Sequence, residues 1–223
     1  ALPIYQLEQM GYRLFNKASV IEVCDSKIMT FQALANHSIK LPKTIFSPLT
    51  FTNILEKDHS FIEFIERELS YPIVIKEAYG SFGEQVYLVH TRDELTKKRK
   101  ELLQIPHLYQ EFIKHSNGRD VRVHVVGDKV VASMLRTSET DFRANVTNGG
   151  VMHEYVLPKE FEELAIKASK IIGADFSGVD LLFGEEEEPI LCEVNSNAHI
   201  KNIYDCTGID VTEHIFDYIL RMV

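Results

Sequence analysis

Three oxygen-bearing side chains near the end of the sequence raise the first chemical question. Asp180 lies in the apolar run "SGVDLLFG", while Glu193 and Asn195 lie in "PILCEVNS", beyond the four glutamates Glu185–Glu188. If those glutamates form the loop of a hairpin in which Gly184 faces Pro189, Asp180 stands opposite Glu193. Strand alternation then brings Asn195 to the same face. A carboxylate in a buried strand is costly unless paired, and two of them about 4 Å apart repel by about 4 kcal/mol at an effective dielectric near 20. Either the strand is exposed there or something positive stands beside it. Hard oxygen ligands so arranged suit Mg²⁺, which usually binds through one or two carboxylates and substrate phosphates. A register different by one residue would instead leave Asp180 and Glu193 as solvated charges on opposite faces.

Cations and a glycine turn stand upstream. Lys76 closes the apolar run "YPIVIKEA", and Gly80, Ser81, Phe82 and Gly83 follow. Glycines permit left-handed backbone, and successive N–H groups in such a turn can cradle phosphate oxygens that a strand-borne lysine would neutralise. The spacing is not that of a P-loop, and an ordinary hairpin turn with a surface lysine has the same letters. Lys27, in the first turn of an expected helix, is tolerable there if its long side chain reaches an anion. Gln110, Glu111, Phe112 and Ile113 end a strand whose edge could offer backbone hydrogen bonds to a flat heterocycle, with Asp120 available to a sugar hydroxyl. Arg122 and Arg136 share parity across a hairpin marked by Gly127–Asp128, and Arg143 and Asn145 follow. Arginine suits phosphate and carboxylate because its planar fork binds two oxygens together.

The elements that must position these groups are read from periodicity. Ile4–Met10 is an amphipathic start. Asp25 is expected to cap a helix carrying Ile28, Phe31, Leu34 and Ala35. Phe61–Leu69 reads as a helix. Two short strands flank the glycine turn, a charged helix runs from Arg92 to Gln104 with Thr91 as its cap, and "HLYQEFI" is a strand. From Arg119 the pattern becomes an alternating hairpin, then "GGVMHEYV", a helix from Pro158 to Ile172 ending at Gly173, the carboxylate hairpin, and a last helix near Val211–Met222. The class is α+β, as two lobes with mainly antiparallel sheets. Cys192 is expected on the core side of its strand.

Composition sets the limits. The 223 residues are 45% hydrophobic and 26% charged, as in a globular protein of one or two domains. Three cysteines without CxxC spacing argue against a disulfide framework and a structural zinc site, and suit a reducing, cytoplasmic setting. No apolar stretch approaches the roughly 20 residues of a membrane span. A net charge of −9 argues against a nucleic-acid surface. The basic run Lys97–Lys100 reads as a solvated helix face.

Taken in order, "CDSKIMTFQAL", "YPIVIKEAYGSFGEQV", "YQEFI", "GRDVRVHVVGDKVVASMLR", "FRANVTNGG", "GVDLL" and "EVNSN" resemble the ATP-grasp ligases of the RimK type, from about Asn16 to Val223. The resemblance implies an ATP-grasp fold with ATP bound between two lobes. It assigns Lys27 and Lys76 to ATP phosphates, Gly80–Gly83 to a mobile flap, Gln110–Ile113 to the adenine pocket and Asp120 to ribose. It assigns Asp180, Glu193 and Asn195 to Mg²⁺, for which Mn²⁺ can stand in. Arg143 and Asn145 fall where such enzymes hold the reacting groups, with Arg122 and Arg136 nearby.

This chain has Gln85 where the family's flap commonly carries another glycine. Only Leu2–Asn16 corresponds to the end of the family's N-terminal domain, so the chain is expected to be a fragment. The expected division is residues 1–40 as that remnant with a connecting helix, 41–112 as the small lobe with the flap, and 113–223 as the large lobe with the metal and substrate site. The family often forms dimers or tetramers.

The implied activity is amide formation between a carboxylate and an amine, through an acylphosphate, with release of ADP and phosphate. The amine is an amino acid, a peptide or a protein tail. Three other readings use the same residues: an ATP-binding module without ligase activity, an ATP-grasp kinase, and a glycosidase-like carboxylate pair, which leaves the lysines and arginines without a task.

Overall fold

The computed structural model describes residues 2–49, 60–81 and 83–223, which fall into two compact units: Ala1–Leu41 with Lys114–Val223, and Pro42–Ile113. Elements are numbered along the chain.

The unit Pro42–Ile113 has helices α4 (Ser60–Glu68) and α5 (Arg92–Glu101) and strands β1 (Thr44–Phe46), β2 (Ile73–Glu77), β3 (Val86–Val89) and β4 (His107–Glu111). The strands form an antiparallel sheet in the order β1-β4-β2-β3. Helix α4 carries Ile62 and Ile65 at helical spacing, and these pack with Leu69 on Ile73, Ile75, Val89 and Tyr109. Each such side chain contributes about 1.5–3 kcal/mol by burial. Thr91 caps α5, its Oγ1 accepting from the Glu94 N–H at 3.3 Å, while the Glu94 carboxylate accepts from the His90 N–H at 2.7 Å. The basic run is not wholly a solvated face, because Arg99 is buried over the Phe61 ring.

The other unit is built on a five-stranded antiparallel sheet, β5 (Arg119–Val126), β6 (Lys129–Thr137), β7 (Val151–Glu154), β8 (Phe176–Phe183) and β9 (Pro189–Asn195), in the order β7-β6-β5-β8-β9. One face is apolar: Val121, Val123, Val179, Leu181, Leu191 and Val194 meet Phe161, Ala165 and Ala168 of α6 (Lys159–Ile172). Val20 and Cys24 of α2 (Ala18–Asp25) and Leu34 of α3 (Lys27–Leu34) complete that core. At one end of the opposite face, Ala132 and Met134 lie under Ile203 of α7 (Ile200–Thr207) and Val211 of α8 (Val211–Met222). The rest of that face is charged.

Helix α6 begins after Pro158 and stops at Gly173, whose φ of 81° lets its N–H turn back to the Lys170 and Ser169 carbonyls. Asp25 does not cap the helix that carries Lys27. It closes α2, and Ser26, in extended conformation, takes the cap with Oγ accepting from the Met29 N–H at 3.4 Å. Helix α1 (Leu2–Gln9) buries none of its residues. Among the described residues no helix is long and apolar enough to cross a membrane.

Candidate active site

The charged face is organised as rows across the sheet. Asp180 pairs with Glu193, and Gly178 with Asn195, so the two acids and the amide share one face. The route to that register differs from the simple count. Phe183, not Gly184, faces Pro189, and the Gly184 N–H closes the loop on the Glu188 carbonyl at 2.8 Å. A bulge then absorbs one residue, so Leu181 opposes Leu191 while Asp180 opposes Glu193, with Cys192 as the extra residue. Cys192 is therefore half-buried at the bulge rather than part of the core. Leu191 and Val194 both reach the core face although three positions separate them, which only a bulge allows.

The positive partners demanded by these acids are present. Arg122 of β5, register partner of Asp180, forks onto it: Nε donates to Oδ1 and Nη2 to Oδ2, the latter at 2.6 Å. Arg136 of β6 forks onto its own register partner Asp120 at 2.6 and 2.7 Å, and its Nη2 also lies 3.1 Å from Asp180 Oδ2. All four side chains are nearly buried. Burial by itself raises the Asp180 carboxyl pKa, but the Arg122 and Arg136 guanidiniums outweigh it and hold the group well below the usual carboxylate range. Burial acts against the Arg136 charge too, and Asp120 and Asp180 overcome it to keep that guanidinium firmly protonated.

At the outer end of the row Lys27 Nζ stands 3.6 Å from Glu193 Oε1. The lysine is buried in the first turn of α3, and a carboxylate is the anion that makes that position tolerable.

These residues suit Mg²⁺ by donor chemistry. Asp180, Glu193 and Asn195 offer only oxygen, the hard donor this ion takes. A carboxylate has about four lone-pair positions; the arginines fill three on Asp180, leaving one on Oδ1. Asn195 Nδ2 donates to the Gly178 carbonyl at 3.3 Å, so its oxygen is the atom left for a ligand. Among the described residues no group of three or more His, Cys, Asp or Glu side chains is gathered to hold a metal ion, and the candidate set here consists of two carboxylates and an amide.

Arg143 is held locally. It forks onto Asp141, with Nε to Oδ1 at 2.9 Å and Nη2 to Oδ2 at 2.7 Å, and its pKa is raised by that hydrogen-bonded carboxylate. Asn145 precedes the short 3₁₀ turn Val146–Asn148 without capping it through its side chain. Asp141 was legible only as a neighbour of Arg143.

In the other unit, Lys76 is buried on β2, two positions from Val74, whose register partner is Gln110. Lys76 and Gln110 thus share a sheet face, opposite the one packed by α4 and α5. Gln110 Nε2 donates to Thr44 Oγ1 at 2.9 Å, and Glu111 Oε1 accepts from the Lys43 N–H at 2.7 Å. β4 is not an edge: it is paired on both sides, and the ladder ends at Glu111, so only Phe112 and Ile113 lie past it. Gly80 has φ 142° and Gly83 φ 75°, and Ser81 lies between them; Phe82 is outside the described residues. A Cβ on Gly80 would push the Gln85 side chain aside, and the glycine's φ is one that side-chain-bearing residues rarely adopt.

A buried histidine, His124, lies two residues beyond Arg122 on the same face. Strand parity alone would have placed it there.

Comparison with known proteins matches these features in sequence and fold. The RimK-like ATP-grasp domain family matches residues 24–219. Human N-acetylaspartylglutamate synthase A is 35% identical over 220 residues, which cover 97% of this chain and 54% of that protein. A probable alpha-L-glutamate ligase 1 of Shewanella is 35% identical over 223 residues, 99% of this chain and 71% of the relative. The chain thus spans about half the length of the human relative. Among solved structures, the ATP-grasp ligase PsnB, complexed with a phosphomimetic variant of its minimal precursor, Mg and ADP, superposes with a TM-score of 0.72 at 17% identity. That alignment covers 98% of this chain and 65% of PsnB, and it establishes the ATP-grasp fold. With the family match spanning the whole charged face and most of both units, this chain belongs to the RimK-like ATP-grasp family.

Proposed function

We propose that the protein of which this chain is part is an ATP- and Mg²⁺-dependent carboxylate–amine ligase that forms an amide through an acylphosphate and releases ADP and phosphate. The observation that carries the reading is the charged face: two acids and an amide in register, two arginine forks and a lysine, in a chain of the RimK-like family. Glutamate is named in both relatives and is proposed as the amine; N-acetyl-L-aspartate, which the human relative's name contains, is the first acid to test.

In this reading Asp180, Glu193 and Asn195 would hold Mg²⁺, which supplies charge neutralisation at the nucleotide phosphates. Lys27 and Lys76 would neutralise phosphate oxygens, and Gly80, Ser81, Phe82 and Gly83 would cover them. Gln110, Glu111, Phe112 and Ile113 would take the adenine. Asp120 would offer ribose the lone pairs that Arg136 leaves. Arg122 and Arg136, set on neighbouring strands at fixed register, would orient the substrate carboxylate for attack on the γ-phosphate. Arg143 would exchange Asp141 for the transferred group, a role worth about 10³–10⁵ in rate where arginine fingers act. Asn145 would position the same group. The catalytic work is positioning and charge neutralisation, which phosphoryl transfer mainly requires. Cysteines that form no disulfide with one another fit a cytoplasmic setting.

The test is product analysis on the full-length protein with ATP, Mg²⁺, L-glutamate and a panel of carboxylic acids headed by N-acetyl-L-aspartate. ADP and phosphate are expected; AMP with pyrophosphate would refute the reading. Glu193→Gln should lower turnover by at least about 100-fold with an unchanged melting temperature. An ATP-induced rise in melting temperature without ADP release under any condition would point to a binding module instead.

A further inference from the structure

His124 is 3% exposed, and its Nε2 is buried without a hydrogen-bond partner; among the described residues only Gln85 Oε1 shares that condition. Unpartnered buried polar atoms are rare in native proteins and each calls for a reason. The strands around His124 supply none of the missing partners. Its register neighbours on β6 and β8 are Ala132 and Gly178, which have no polar side-chain atom. A phenylalanine would fill the same space without the unmet hydrogen bond.

The row Ala132–His124–Gly178–Asn195 runs directly beside the row Met134–Arg122–Asp180–Glu193. Arg122 belongs to the second row by register, but its stem leans over the first. A Cβ built on Gly178, the neighbour of His124, would come 3.3 Å from Arg122 Cδ. The Arg122 stem thus lies over the strand neighbour of His124, while its guanidinium is held by Asp180 and the His124 Nε2 lacks a partner. The charged groups that bear on the ring are Arg122, Asp180 and Arg136. Burial first, and the Arg122 charge second, press its pKa down to about 4, so the ring is neutral at pH 7 and has one nitrogen able to accept.

We infer that His124 is a positioning residue for Arg122: its Nε2 is the second seat of the guanidinium, accepting an Arg122 N–H when a bound metal ion competes for Asp180. The inference rests on Asp180, Glu193 and Asn195 holding the ion. Without metal, Asp180 needs the arginine and Nε2 is left empty. With metal on Asp180, a guanidinium N–H and the cation compete for the same oxygens at close range, and like charges repel. An acceptor within reach of the same stem lets Arg122 yield without leaving a buried N–H unmet. The orphaned nitrogen and the displaced donor thus balance.

Three proteins test this: the wild type, His124→Phe and His124→Gln, whose amide reaches about as far as Nε2. The probe is Mg²⁺ with ADP, followed by calorimetry and by ¹⁵N resonances of the histidine rings, with that of His124 assigned by its loss in the variants. In the wild type the acceptor resonance of His124 should move on Mg²⁺–ADP addition and stay in place with ADP and EDTA. His124→Phe should melt at the same or a higher temperature than the wild type, yet bind Mg²⁺–ADP about tenfold more weakly; His124→Gln should recover most of the loss.

A His124 resonance that stays in place on saturation with Mg²⁺–ADP overturns the inference. So does unchanged Mg²⁺–ADP affinity in His124→Phe. Should His124→Phe fail to fold, the wild-type resonance decides alone. If the wild type binds no Mg²⁺–ADP at all, the metal-site reading has failed and the inference falls with it, an outcome separable from the other two.

Discussion

Asp180 illustrates how one buried residue can be both expensive and indispensable. Its carboxylate is compensated by two guanidiniums, and Asp120 by one, so the four side chains form a closed buried network. Breaking such a network by removing one partner typically costs about 3–5 kcal/mol, because an uncompensated charge stays behind. Asp120→Ala is expected to destabilise within that range in urea unfolding, and Asp120→Leu combined with Arg136→Met to cost less than the single change.

His124 makes a separate, pH-resolved prediction. Its native pKa of about 4 lies below the ordinary 6.5, so the unfolded state binds more protons between those values, and stability falls as pH drops through that window. Wild-type stability should decline by about 3 kcal/mol more than that of His124→Phe between pH 7 and pH 4. Equal slopes in the two proteins would show that the imidazole titrates normally.

The element that matters most is the β8–β9 hairpin. Its pairing of Asp180 with Glu193 was legible from alternation and from the acidic loop, although the loop closes one residue away from the count. The bulge at Cys192 compensates, and no residue type announces it. A bulge is a two-against-one arrangement between strands, invisible to a pattern read along one of them. Gly178 is a second local device. It lacks the positive φ that favours glycine, so its need is purely spatial: a Cβ there would overlap the Ala198 side chain just past β9. Gly178→Ala should destabilise by about 1–3 kcal/mol by overpacking. Ala198→Gly in the same chain should restore much of the loss, a coupling that a double-mutant cycle reads directly.

Across the molecule, residues 16–41 are tied into the same compact unit as Lys114–Val223. Asn16 is nearly buried and bonds four ways: Nδ2 donates to the Phe176 and Ser196 carbonyls at 2.8 and 3.1 Å, and Oδ1 accepts from the Asp175 and Phe176 N–H groups at 2.6 and 3.4 Å. Further on, the Leu191 N–H donates to the Lys40 carbonyl at 2.9 Å, and Val20, Cys24 and Leu34 fill the same core as the sheet. Asn16→Ala should therefore lower unfolding free energy by about 2–4 kcal/mol, since it strands backbone groups of Asp175, Phe176 and Ser196. A change under about 0.5 kcal/mol would mean that the segment is not anchored through this side chain.

Much of this architecture follows from local pattern. Alternation defines β5, β6, β8 and β9, helical spacing defines α4 and α6, and Thr91, Pro158 and Gly173 mark helix ends by chemistry internal to a few residues. The order of motifs was enough to point to the family, and parity paired Arg122 with Arg136 on one hairpin and Asp180 with Glu193 and Asn195 on another; the pairing of β5 with β8 puts the two sets on one face. What the letters do not contain is partnership at long range. That Asp120 is gripped by Arg136, that Asp180 answers to two arginines, that Lys27 finds Glu193 and that the His124 Nε2 is left without a partner are settled by which strands and helices come side by side. A side chain's charge, and its need for a partner, is written in the sequence. Whether the need is met depends on the burial and spacing that only packing creates.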